Sequence, residues 1–351
     1  MLLDLNFSTT GGPVDQPVTS ESAPAQAQTA TPYIFSDWCP LYQGIDRAVG
    51  TADLAFGVVP PVARKQYVNA LRIDLTCPGV SFYTTPPAPE GSPCQTIGNT
   101  VTGFLSASPA AMVAVNANFS WYDNDDVSGN FSLMGLAVSL GTVVCDPTRP
   151  APRPPCVPPT QSADVPDATY AGAAAMLISQ QNAVTFCVVT QENSPAGPPE
   201  AYTAIAGSPQ PVSQPLPDES WPPQKQVAGP LFLVEDGVNQ ASPEESPAEE
   251  VAGRTGAGLS ADGRYLYLVT LDGCEKAAWR YGGGYYDVAQ WLIIAGAGTA
   301  INLDGGGSAA MACSDSSIGP VLMNIPFGDE LTAGCQRAVG NFFGVTARRL
   351  S

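Results

Sequence analysis

The sequence predicts an α+β fold: strand-rich, mixed β-sheets with a few packed helices, forming a single large domain with Pro-rich insertions. Three observations predict it. Short stretches alternate apolar and polar residues, turn-forming residues punctuate them, and only one long segment has an apolar pattern suited to a packed helix. Strands that do not alternate regularly with helices argue against a doubly wound parallel sheet. With 351 residues, 44% of them hydrophobic, the chain can bury a substantial core.

Taken in order, residues 1–36 begin with the alternation Leu3-Asp4-Leu5-Asn6-Phe7 and continue as a Pro, Gln, Ser, Thr and Ala tract without a core-forming pattern. Such a tract is disordered on its own. Either it lies along its own domain, or its alternating segment adds to an open sheet edge of a neighbouring subunit, as in a homo-oligomer or filament. The domain proper is expected over 37–351. Strands are expected at Val68 to Leu75 and Met112 to Val115, and from Leu136 to Val144 with a turn at Leu140-Gly141. Ala173 to Ser179 and Ala183 to Val189 read as a hairpin around Gln180-Gln181-Asn182, and a second hairpin turns at Ala261-Asp262-Gly263 into the strand Tyr265 to Thr270. Proline-rich stretches near 146–160 and 194–230, and an acidic one from Asn239 to Glu250, read as surface insertions. The helix is expected from Tyr286 to Ala297, ended by Gly296 and Gly298. A buried strand from Ala300 to Leu303 follows, and the last strands are Val321 to Ile325 and Val339 to Ala347.

Composition excludes whole classes of function. Acidic residues number 32 against 14 basic ones, and the net charge of −18 repels nucleic acid and anionic lipid. No apolar run reaches the roughly 18 residues of a membrane helix. An anionic substrate can bind only where local arginines or backbone N–H groups overrule the global field. The chain has no histidine, which removes Ser-His-Asp and Cys-His catalysis, His-ligated zinc and imidazole switching together. Acid and base work therefore falls to carboxylates. Nine cysteines, none in a C-x-x-C pair, suit disulfides in an oxidising, extracytoplasmic compartment. Cys77 with Cys94, Cys145 with Cys156 and Cys313 with Cys335 are short-range pairings to test, and one cysteine is left over. The Leu-Leu-Asp-Leu after Met1 is unlike a secretion signal.

The chemistry centres on Asn302-Leu303-Asp304-Gly305-Gly306-Gly307-Ser308. A strand that delivers Asp304 into three glycines places a carboxylate beside backbone free to take positive φ and to expose successive N–H groups. Ser308 adds a hydroxyl, and Asn302 shares the strand face of Asp304. With the segments Val113-Ala-Val-Asn116-Ala-Asn118-Phe119, Arg254-Thr255-Gly-Ala-Gly258 leading to Leu271-Asp272-Gly273, and Arg337-Ala-Val-Gly-Asn341, the order of motifs resembles the phosphodiester glycosidase family over the stretch from Tyr67 to the end.

That resemblance implies hydrolysis of a sugar 1-phosphodiester between the anomeric carbon and the phosphate oxygen, outside the cytoplasm; no cofactor is expected. Glycosidic chemistry commonly uses two carboxylates and arginine suits phosphate, so the implied roles fit the composition. Asp304 would be the principal catalytic carboxylate, with Asp272 or Asp123 as partner. Arg254 and Arg337 would hold the phosphate, the N–H groups of Gly305, Gly306 and Gly307 and the hydroxyl of Ser308 would complete the cradle, and Thr255 is a further substrate-binding candidate. Asn116 and Asn118 would orient sugar hydroxyls, and Asn302 is a further substrate-binding candidate. Family members commonly carry hydroxyl residues where this chain has Ala309-Ala310, and Asn118-Phe119-Ser120 is also a glycosylation sequon. Against the enzyme stand two other readings, a structural subunit of a secreted assembly with a degenerate site, and a carbohydrate-binding module. Asn124, Asp126 and Ser128 approach the spacing of a calcium loop, but Gly135 stands where a bidentate glutamate belongs, so a hydrated acidic loop is favoured.

Overall fold

The computed structural model describes residues 33–54, 63–92, 94–108, 110–122, 129–146, 170–190, 201–211, 230–242, 251–274, 279–328 and 332–350. The alternation at Val68 to Leu75 is the inner part of a long strand, β4 (Ala63–Asp74). Its side chains divide by parity: Val68 and Ala70 join one apolar cluster, Leu71 and Ile73 another. A strand with its two-residue period can serve two cores at once.

β4 lies inside a nine-stranded sheet. The others are β1 (Tyr33–Phe35), β2 (Cys39–Tyr42), β3 (Ile45–Leu54), β15 (Val234–Glu235), β16 (Val238–Asn239), β17 (Ala252–Ser260), β18 (Tyr265–Cys274) and β19 (Ala297–Asn302). Their order is β1-β3-β4-β18-β17-β19-β15-β16, with β2 paired to β3. One face is covered by a helix, α2 (Tyr285–Ala295), which buries Val288, Ala289, Trp291 and Leu292 against Val68, Ala70, Val269 and Leu271. Asp287 accepts the Gly284 N–H at the start of this helix (2.7 Å), and Gly296 ends it at φ +117°. A side chain at Gly256 would stand 2.8 Å from Leu292, so this glycine lets the helix lie close to β17.

The opposite face packs against two five-stranded sheets. The first has the order β11-β10-β14-β12-β13 and comprises β10 (Ala137–Ser139), β11 (Thr142–Cys145), β12 (Tyr170–Ile178), β13 (Val184–Val189) and β14 (Thr203–Pro211). The second, in the order β21-β20-β7-β22-β5, comprises β5 (Ser81–Thr84), β7 (Ala111–Asn116), β20 (Met311–Asp315), β21 (Gly319–Leu322) and β22 (Phe342–Thr346). Leu71, Ile73, Leu268 and Ile301 meet Met176, Ile205, Val113 and Phe343 in this central core. The other helix, α1 (Val101–Ala107), starts at Thr100, whose hydroxyl accepts the Gly103 N–H (3.1 Å), and its Phe104 stacks on Tyr83 and Phe342. A three-stranded sheet, β6-β9-β8, holds β6 (Thr96–Ile97), β8 (Ser120–Tyr122) and β9 (Asn130–Leu133).

Two fold expectations are corrected. Every pairing between these strands is antiparallel, so the sheets are not mixed. With two α-helices among the described residues the fold is mostly β, and the α+β label holds only in its strand-rich part. Tyr33–Phe35, from the end of the segment read as a tail, forms β1 on the edge of β3. Within the Pro-rich stretch 194–230, Thr203–Pro211 is the middle strand of its sheet. Residues 1–32, 147–169, 212–229 and 243–250 lie outside the described part, as do the rest of the tail and most of the expected insertions.

No disulfide joins the described cysteines. Cys77 sits in the turn after β4 against Gly44, whereas the Cys94 thiol is directed at the Thr96 carbonyl (3.1 Å). Cys313 is within β20 and Cys335 in an exposed turn near Phe327. Cys156 lies outside the described residues. No helix among them is long and apolar enough to cross a membrane.

Candidate active site

The signature segment is where the nine-stranded sheet crosses to the neighbouring sheet. Leu303, fully buried beyond the end of β19, donates its N–H to Thr255 O (2.8 Å), and Asp304 donates its N–H to Ala117 O (2.9 Å), just beyond the end of β7. Asn116 locks this crossing. Its amide N donates to Asp304 O (2.5 Å), while its Oδ1 accepts from the Thr255 hydroxyl (2.7 Å) and from the Ala310 N–H (3.1 Å). Gly305 is extended, Gly306 takes φ +61°, and Gly306–Ser308 form one 3-10 turn closed by Ser308 N–H to Gly305 O (3.1 Å). A side-chain carbon on Gly307 would come within 2.8 Å of the Arg337 guanidinium and 2.9 Å of Gly328 O. The bare backbone there is what allows Arg337 to rest on the turn.

Asp304 is partly buried, and one of its oxygens accepts the Gly305 N–H (2.8 Å). Burial pushes its carboxyl up to about 6, against the opposing pull of the Ser308 hydroxyl, that N–H, Arg337 and Arg254. The two arginines are held differently. Arg254, 9% exposed, donates Nε–H to Gly283 O (3.1 Å) and lies over the Tyr285 ring at 4.5 Å. Arg337 reaches the Ser308 hydroxyl with Nη1 (3.4 Å). Two guanidinium groups flank one carboxylate, which makes this corner locally cationic in a chain of net charge −18. A planar fork of donors beside a carboxyl that titrates near neutrality can hold an anion and exchange a proton with it.

Asp272 stands on β18, on the far side of β17 from the Asp304 turn. It is 1% exposed and ion-paired to Arg280, and its Oδ2 also accepts the Ile325 N–H (3.2 Å), while its Oδ1 has no partner. Burial pushes this carboxyl up to about 6 despite the neighbouring Asn324 amide and Arg280. The intervening strand puts two strand spacings, roughly 10 Å, between β18 and the β19 line.

Other sequence-derived candidates take positions behind the turn. Asn118 is 1% exposed, donates to Met134 O (2.9 Å) and Leu136 O (3.1 Å), and accepts from Asn341 (2.8 Å) and the Ala206 N–H (3.2 Å). So placed, it is closed to a glycan in the folded chain. Asn302 donates to Ser208 (2.8 Å) and to Leu303 O (2.6 Å). Thr255 is buried against Asn116. Asp123 and the calcium-loop residues Asn124, Asp126 and Ser128 lie outside the described residues. Ala309 and Ala310 are buried, the first beside Gly253 and the second in the cluster under α1. Sequence reasoning missed Arg280 and Tyr285, which pair with Asp272 and Arg254. The only available signal was a basic and an aromatic residue between the Asp272-Gly273 corner and the helix.

The chain matches the family model described as phosphodiester glycosidase over residues 178–346. Among solved structures it is similar to the zebrafish N-acetylglucosamine-1-phosphodiester α-N-acetylglucosaminidase catalytic domain, auto-inhibited by its pro-peptide. That likeness has 16% identity over 90% of this chain and 88% of that one, with a TM-score of 0.57. It is also similar to a candidate exported protein of Burkholderia pseudomallei, with 14% identity, 90% and 97% coverage and a TM-score of 0.54. These likenesses establish the fold. No curated protein matches the sequence.

Proposed function

We propose that the chain hydrolyses a sugar 1-phosphodiester in an extracytoplasmic compartment. The observation that carries this reading is the Asp304 carboxyl, raised to about 6 by burial and bracketed by Arg254 and Arg337 on a glycine turn. In the proposed reaction water adds to the anomeric carbon as the bond from that carbon to the phosphate oxygen breaks; Asp304 takes the proton from the water, and the phosphomonoester leaves held by the guanidinium groups and the Ser308 hydroxyl. The Gly305 N–H already serves the Asp304 carboxylate, so Gly306 and Gly307 are the backbone groups left to face phosphate. Asp272, ion-paired to Arg280 and set across β17 from this corner, is left outside the reaction in this reading. Asn116, Asn118 and Asn302 act from behind, by fixing the turn and its neighbours.

Ala309 and Ala310 do not remove donors from this corner, since both side chains are packed inward. This supports hydrolysis over a degenerate site on a structural subunit. The test is a hydrolysis screen of sugar 1-phosphodiesters beside uncharged aryl glycosides and sugar phosphomonoesters. Turnover confined to diesters is expected, whereas absence of any diester turnover, or equal turnover of uncharged glycosides, would refute the reading.

A further inference from the structure

On the face of the nine-stranded sheet away from α2 lies a cavity of about 340 Å³. Arg47 from β3, Tyr67 and Asn69 from β4, Asp272 from β18, Arg280 and Asn324 line it. Half of this lining comes from the β3–β4 hairpin, outside residues 178–346 that match the family domain. Its charge is two guanidinium groups against one carboxylate. Arg47 donates to Asn69 Oδ1 (3.0 Å) and has no ion-pair partner among the described residues. Arg280 pairs with Asp272 and lies over the Tyr67 ring at 4.1 Å.

Three buried polar atoms here are without a hydrogen-bond partner: Arg47 Nε, Arg280 Nε and Asp272 Oδ1. Buried donors and acceptors left this way are costly and are rare in native folds. Two are N–H donors on cations and the third is a carboxylate acceptor. A ligand that satisfies all three carries an anionic group and, beside it, a hydroxyl. The cavity is at the small end of the range for ligand sites, which matches one sugar ring and not an oligosaccharide.

We propose that this cavity binds a monosaccharide-sized anion, a sugar bearing a carboxylate or a phosphate, with Arg47 and Arg280 on its anionic oxygens and Asp272 Oδ1 accepting a hydroxyl. Binding here does not rest on hydrolysis at Asp304. Placed across β17 from that corner, the site would recognise a charged sugar independently of the scissile phosphate.

Calorimetric titration of the full chain with glucuronate, glucose 6-phosphate, neutral glucose and inorganic phosphate tests it. At least one anionic sugar should bind on the order of tenfold or more tightly than glucose or phosphate. Arg47→Gln should weaken that binding by a similar factor, and Arg337→Gln should leave it unchanged. Thr51→Phe fills the cavity from β3 without removing a charge, so it should abolish binding even if Arg47→Gln fails to fold, with melting curves confirming that the variant is folded. The proposal is overturned if neither anionic sugar binds, if phosphate alone binds as tightly, if a folded Arg47→Gln or Thr51→Phe variant binds like the native chain, or if affinity follows Arg337 instead.

Discussion

Asp304 and Asp272 show how burial, more than partnership, sets the charge of a side chain in this protein. Both carboxyls have cationic neighbours, yet desolvation dominates and each is pushed up to about 6. For Asp272 the folded value lies above the unfolded one near 3.8. Between about pH 4 and 6 the folded chain therefore keeps a proton that the unfolded chain has released. Stability falls as pH rises through that window and levels off above it, by roughly 3 kcal/mol for this group. Melting temperatures of the native chain and of Asp272→Asn across pH 4 to 7.5 should differ in slope, with the variant losing part of the decline; parallel curves would contradict the raised value. At this scale the sequence was partly legible. Asp304, Arg254 and Arg337 could be picked out because the missing histidine leaves carboxylates and arginines as the available chemistry. The roles of Asn116 and Asn118 could not, because an asparagine that ends a strand looks the same whether it faces substrate or buttresses a turn.

Among the elements, the glycine turn and helix α2 carry most of the architecture around the site. Gly306 and Gly307 separate two effects that the run of glycines conceals. A side chain at 306 meets nothing within 4 Å but must take φ +61°, whereas at 307 it collides with Arg337 and Gly328 O. Gly306→Ala should cost about 1 kcal/mol in thermal stability and leave the Michaelis constant for a diester near the native value. Gly307→Ala should cost about 1–3 kcal/mol and raise that constant on the order of tenfold, because Arg337 is pushed off the turn. Steady-state kinetics beside melting curves separate the two. Elements with strong punctuation were legible. The turn at Leu140-Gly141 has positive φ at both residues, as does Asn182 in the next hairpin, and α2 ends at Gly296 as its glycine indicates. Helix α1 was missed because seven residues with a glycine inside are too few to show a 3.6-residue period. Strand β14 was hidden by its proline-rich flanks.

For the molecule as a whole, sequence alternation reports which residues form strands but not their direction, which is why mixed sheets were expected and antiparallel ones found. Assembly of the site depends on topology in the same way. Asn116, Arg254, Asp304 and Arg337 are spread over more than half the chain, and they meet only because β19 crosses from one sheet to the end of β7 in another. The cavity beside β3 and β4 had no local signal at all, since Arg47, Asn69 and Asp272 become neighbours through strand order alone. A net charge of −18 sets the field that this cavity and the Asp304 corner must each overcome with two arginines. The most direct test of the account is the rate of sugar 1-phosphodiester hydrolysis by the native chain and by folded Asp304→Asn, followed from pH 4 to 8. The account predicts a native profile with an inflection near 6 and a loss of about 1,000-fold or more in the variant. An Asp304→Asn enzyme that retained the native rate and the native profile would contradict it.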